Sequence, residues 1–217
     1  MQGGIYHYHL LSDGQLKFIS KTDMDRPMYM AVEDDKMYVL LRAPYTKNNE
    51  SALIIYDIDE SGNLIKSSEN ISTKGEVACH LTVKDGIVYC VNYISGSVIK
   101  MPDTLVTHTG RGVNLSRQDS PHPHFAGFTP DGKYICVTDL GLDTIFIYTP
   151  DMAFFSKAFV PEGHGVRHLV FSDDGNYCFA VNELLSTVSS FSYKNGELIY
   201  IETIDIIPDN SLFNPII

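Results

Sequence analysis

His124-Phe-Ala-Gly-Phe-Thr-Pro-Asp-Gly-Lys-Tyr-Ile-Cys-Val-Thr-Asp139 reads as one β-hairpin, with an apolar run, an Asp131-Gly132 turn and a second apolar run that ends on polar residues. Glycine accepts the positive φ that such turns need. The unit recurs downstream as Arg167-His-Leu-Val-Phe-Ser-Asp-Asp-Gly-Asn-Tyr-Cys-Phe-Ala-Val-Asn182. Upstream it appears as Cys79-His-Leu-Thr-Val-Lys-Asp-Gly-Ile-Val-Tyr-Cys-Val-Asn92 and as Met28-Tyr-Met-Ala-Val-Glu-Asp-Asp-Lys-Met-Tyr-Val-Leu-Leu-Arg42. Anchored on their last residues, the copies step by 50, 47 and 43 residues: 42 to 92, 92 to 139, 139 to 182. Such steps suit four-stranded propeller blades and exceed those of short solenoid repeats.

A third strand is predicted after each hairpin, as in Ser97-Val-Ile-Lys100, Asp143-Thr-Ile-Phe-Ile-Tyr148 and Ser186-Thr-Val-Ser-Ser-Phe-Ser-Tyr193. Second turns such as Asp59-Glu-Ser-Gly62 and Lys194-Asn-Gly196 lead to outer strands such as Glu197-Leu-Ile-Tyr-Ile-Glu202. The expectation is an all-β chain: one partial β-propeller domain over residues 1–217, with four to five blades and no long helix. Thirteen Tyr and eleven Phe, without Trp, agree with strands.

Composition narrows the function classes. A formal net charge of −11 argues against a broad basic surface for nucleic acid. It leaves room for a small anionic substrate held by a few concentrated cations. No apolar run approaches a membrane span, and no basic segment followed by an apolar one opens the chain, so a cytoplasmic protein is expected. Cys79, Cys90, Cys136 and Cys178 lie in or beside apolar strands at spacings unlike zinc or redox motifs, which reads as buried thiols.

Three ionisable residues occupy matching strand ends. The start of a blade's first strand lies beside the end of its second, at one rim of the ring. His124 begins the first strand of one unit, Arg167 begins that of the next, and Glu183 follows the second strand of the same unit. All three are therefore expected at one mouth of the channel. Met28 and Cys79 hold the corresponding positions in the earlier copies, so the repeat itself does not demand charge there. Structural readings stand beside the functional one: His124 satisfying backbone at a strand entry, and Arg167 pairing with Glu183 across the hairpin. Asn92, Asp139 and Asn182 read as turn formers before ligands. His122 and His168 alternate along their strands with His124 and Arg167, so they are expected to face away. His164, between Gly163 and Gly165, is either a substrate contact or part of a connector. His164, Asn182, Asp139 and His168 complete the candidate substrate-binding set.

Further stretches occur in order: Cys90-Val-Asn-Tyr-Ile-Ser-Gly-Ser-Val98, Pro121-His-Pro-His-Phe-Ala-Gly-Phe-Thr-Pro-Asp-Gly-Lys-Tyr134, Val137-Thr-Asp-Leu-Gly-Leu-Asp-Thr-Ile145, Gly165-Val-Arg-His-Leu-Val-Phe171 and Val181-Asn-Glu-Leu-Leu-Ser-Thr-Val188. Together they resemble the propeller-type lactonase family, which includes 6-phosphogluconolactonases and carboxy-cis,cis-muconate cyclases. The resemblance covers most of residues 75 to 195. It implies a seven-bladed fold and a site in which His124, Arg167 and Glu183 act on a small anionic sugar lactone, with no metal or cofactor.

The expected activity is hydrolysis of 6-phosphogluconolactone in the oxidative pentose phosphate pathway. Glu183 or His124 would activate water or shuttle a proton, and Arg167 would hold the substrate anion or the developing oxyanion. A muconate-type cyclase and a non-catalytic binding module are the alternatives. At about 45 residues per blade, 217 residues hold fewer than the seven blades the family implies, and the family's later arginine-bearing blade has no counterpart. A fragment or truncated product is the expectation, with the tail from Pro208 to Ile217 beginning no further blade.

Overall fold

The computed structural model describes residues 3–42, 45 and 47–207. Strands β1 (Gly4–Leu10) and β2 (Leu16–Asp23) form a two-stranded hairpin. The first complete blade joins β3 (Pro27–Glu33), β4 (Lys36–Leu41), β5 (Ala52–Ile58) and β6 (Leu64–Lys66), with β7 (Ile71–Ser72) paired to β5. The second joins β8 (Ala78–Lys84), β9 (Ile87–Asn92), β10 (Ser97–Lys100) and β11 (Thr104–Thr107). The third joins β12 (Pro123–Phe128), β13 (Ile135–Asp139), β14 (Thr144–Tyr148) and β15 (Phe154–Phe159). The fourth joins β16 (Val166–Phe171), β17 (Tyr177–Asn182), β18 (Thr187–Lys194) and β19 (Glu197–Asp205).

Neighbouring strands within each blade are antiparallel, and β3, β8, β12 and β16 lie side by side as the innermost strands. Four blades and an outer half-blade meet the expectation of four to five. The helical element among the described residues is one 3-10 turn, Leu140–Leu142. The tail from 208 to 217, expected to start no further blade, lies outside the described residues.

The Asp-Gly pairs make two kinds of turn. Asp85-Gly86 is a two-residue turn between the paired Lys84 and Ile87, with φ of 54° and 73°. Asp131-Gly132 and Asp174-Gly175 lie in longer connections instead. There Thr129 N–H reaches Tyr134 O at 3.0 Å, and Ser172 N–H reaches Tyr177 O at 2.9 Å. The preceding hydroxyls decide this: Thr129 Oγ1 donates to Asp131 at 2.7 Å and Ser172 Oγ to Asp174 at 2.6 Å, closing a wider loop.

Side chains alternate across a strand, so each blade packs one face backward and one forward. Leu40, Leu53, Leu81 and Ile99 fill the space between the first and second blades. Val91, Val98, Val137 and Met152 fill the next, and Ile145, Ile147, Ala180 and Phe191 the last. With a blade on either side, β13 is buried at every position. In β17 the side chains alternate, leaving Tyr177, Phe179 and Val181 46%, 40% and 42% exposed. Among the described residues nothing covers that face. At the other end, a cavity of about 200 Å³ lined by Ile5, Tyr6, Met28, Tyr29 and Met30 opens where a complete blade has its inner strands.

Candidate functional site

Each innermost strand begins with a β-bulge at the same register. Pro27 pairs with Leu41 and Tyr29 with Leu40, which leaves Met28 as the extra residue. The same interruption isolates Cys79, His124 and Arg167 in the following blades. A bulge sets two residues against one on the partner strand and re-aims a side chain. The four equivalent positions of the repeat are thus four bulges, two of which, at His124 and Arg167, carry basic groups.

The bulge also corrects the expectation that His168 faces away from His124. Beyond each bulge comes a ring: Tyr29, His80, Phe125, His168. These rings cluster, with Tyr29 and His80 centred 4.2 Å apart, His80 and Phe125 4.6 Å, and His80 and His168 5.2 Å. His168 also lies 5.4 Å from the His124 ring. Simple alternation fails because the extra residue shifts the strand's parity. His122 takes a different position, stacked on Tyr93 at 4.4 Å.

Glu183 N–H donates to Gly165 O at 2.8 Å and Leu184 N–H to His164 O at 3.0 Å, which ties the end of β17 to the entry of β16. Gly165 has φ of 67°, and a Cβ there would lie 2.5 Å from the Leu184 side chain, so this entry needs glycine. The clamp sets Arg167 Nε 2.9 Å from Glu183 Oε2. Thr138 Oγ1 of the third blade donates to Arg167 O at 2.6 Å.

The other oxygen, Glu183 Oε1, accepts from Arg117, a residue absent from the sequence-derived set. Arg117 lies in the fifteen-residue connection 108–122 between β11 and β12. Its length was the available signal, because long loops inside compact domains are commonly functional.

Electrostatics separates the two proton-transfer candidates. Burial, then the Arg167 charge, pushes His124 down to about 4, leaving a neutral imidazole at pH 7. Its Nδ1 lies 4.0 Å from Cys79 Sγ, and no hydrogen bond engages its Nε2 among the described residues. Burial alone would raise Glu183, but Arg117 foremost, then His124 and Arg167, outweigh it and hold the carboxyl below its ordinary value. Burial drives His80 down to about 3 and also lowers His168. The Cys79 thiol is pushed up to about 12 by burial, so it stays protonated.

The remaining candidates are engaged inside the blades. Asp139 is fully buried, with Oδ1 accepting His122 N–H at 2.7 Å and Oδ2 2.6 Å from His108 Nδ1. Asn182 donates Nδ2 to Thr187 and Ser189, both at 2.9 Å. His164 Nδ1 lies 2.8 Å from Thr187 Oγ1. All four cysteines are buried and unpaired. Among the described residues, no cluster of three or more His, Cys, Asp or Glu suits a metal ion, and no helix is long and apolar enough to cross a membrane.

The family described as Lactonase, 7-bladed beta-propeller matches residues 1–214. A Bacteroides fragilis structure, provisionally named a 6-phosphogluconolactonase, superposes with a TM-score of 0.84 at 28% identity, covering 96% of this chain and 65% of that one. A Bacteroides uniformis protein with the same provisional name gives 0.85 at 26% identity, covering 94% and 64%. An uncharacterized protein of Staphylococcus aureus strain USA300 is 28% identical over 225 residues, 95% of this chain. The chain spans about 65% of the length of the curated relatives it matches.

Proposed function

Because the chain belongs to the seven-bladed β-propeller lactonase family, we propose that it serves lactone hydrolysis, with 6-phosphogluconolactone of the oxidative pentose phosphate pathway as substrate. The observation that carries this reading is a neutral His124 with an unengaged Nε2 on the same rim as an arginine-held carboxylate. Water attacks the lactone carbonyl carbon while His124 Nε2 takes its proton. The carbonyl oxygen becomes an oxyanion beside the Arg167 guanidinium. Collapse of this intermediate breaks the ring C–O bond, and the proton passes from His124 to the departing alkoxide, which yields the open hydroxy acid. Glu183, already paired with two guanidiniums, serves to orient them.

The names of the Bacteroides structures support the phosphorylated substrate. A coupled assay of 6-phosphogluconate formation tests the reading with His124→Ala, Arg167→Ala and Glu183→Gln. Acceleration over spontaneous hydrolysis is expected, falling about 10²-fold or more in His124→Ala. Wild-type rates in all three variants would sink the proposed site.

A further inference from the structure

The connection 108–122 contains no strand, yet buried polar groups hold it rigidly. Gln118 is fully buried; its Nε2 donates to Leu140 O at 2.9 Å and its Oε1 accepts Asn114 N–H at 3.1 Å. Gly112 N–H donates to Gln118 O at 2.8 Å, and a Cβ at Gly112 would lie 2.6 Å from the Gln118 amide carbon. His108 and His122 fasten the two ends to the same buried Asp139 carboxylate. Burying this many polar groups is costly unless all are satisfied, so the loop is built to hold one shape.

That shape delivers Arg117, half-buried, to a carboxylate 66 residues away on the fourth blade. Two guanidiniums now face one carboxylate, in a chain whose formal net charge is −11. Arginine carries five N–H donors, and the bonds to Glu183 leave donors over on both side chains. Arg167, bulged beside His124, is placed for the reacting carbonyl. Arg117 comes from outside the blade, on the connection 108–122, and meets the other oxygen of the same carboxylate.

We infer that Arg117 is the substrate-binding residue for the anionic group of the substrate, a phosphate on the sugar chain, while Arg167 is kept for the oxyanion. This rests on the lactonase reading, and direct binding separates the two. Calorimetric titration of the chain with 6-phosphogluconate and with gluconate, which differ in the phosphate alone, is compared for wild type, Arg117→Ala and Arg117→Lys. Arg117→Ala is expected to weaken 6-phosphogluconate binding at least tenfold and leave gluconate unchanged. Arg117→Lys, which keeps the charge without the planar fork, should fall between. Thermal melting of each variant separates loss of the site from loss of the fold. Wild-type 6-phosphogluconate affinity in Arg117→Ala, equal losses for both ligands, or no phosphate preference in the wild type would each overturn the assignment. Arg117-dependent binding without turnover would uphold it and reject the lactonase reading instead.

Discussion

The rings of His124 and His168 stand 5.4 Å apart on adjacent innermost strands, both held neutral at pH 7 by a protein environment that disfavours their charge. With the buried His80 they form a run of imidazoles on the innermost strands, His124 and His168 half-buried, that tolerates protonation poorly.

Stability should therefore fall on mild acidification. In the unfolded chain these imidazoles titrate near 6.5, whereas folded His124 and His80 titrate near 4 and 3. Between those values the unfolded state binds more protons, so stability rises with pH and is lost as pH drops from about 6.5 toward about 4. Melting curves between pH 7.5 and 4.5 should show a falling Tm, with the slope reduced in His80→Phe. A flat profile over that window would contradict the neutral state of these imidazoles.

The pH dependence of turnover should look unlike that of an ordinary histidine base. Activity that needs neutral His124 stays level as pH falls through 6.5 and declines only toward about 4. A pH–rate profile over the range in which the fold survives checks this. An apparent pKa near 6.5 would show that the working imidazole is more exposed than His124.

Asp139 should act at a distance. Replacing it with Ala removes the acceptor for His122 N–H and the partner of His108, leaving two buried groups unsatisfied. A loss of about 2–4 kcal/mol is expected in urea unfolding, with weaker ligand binding because the loop bearing Arg117 loosens. Wild-type stability would mean that water readily replaces the carboxylate.

The uncovered face of the fourth blade should bind apolar probes. Val170, Tyr177, Phe179 and Val181 are exposed together on one sheet, a combination that marks an interaction surface or an aggregation liability. The 217-residue chain should enhance ANS fluorescence and self-associate, and Phe179→Glu with Val181→Thr should reduce both. Absence of ANS binding by the chain would show that this face is covered in solution.

How much could be read beforehand differs between fold and site. Local pattern decided the hairpins: alternating apolar runs bounded by Asp-Gly pairs make strands wherever they occur, and their spacing of 43 to 50 residues made blades of them. The same register singled out His124, Arg167 and Glu183, since equivalent positions of a repeat occupy equivalent places in space. The sequence also showed that charge at those positions was not demanded by the repeat, because Met28 and Cys79 fill them elsewhere.

Tertiary structure decided the rest, for two physical reasons. A bulge is a matter of pairing between strands, so the extra residue at 28, 79, 124 and 167 leaves no mark on strand alternation, and alternation alone points His168 away from His124 where the fold brings them together. The Arg117–Glu183 contact spans 66 residues and depends on a loop of no regular periodicity, held by a buried glutamine and a buried aspartate. Periodicity reports which way a strand faces. Only the packed chain brings an arginine from one connection to the carboxylate of a distant blade.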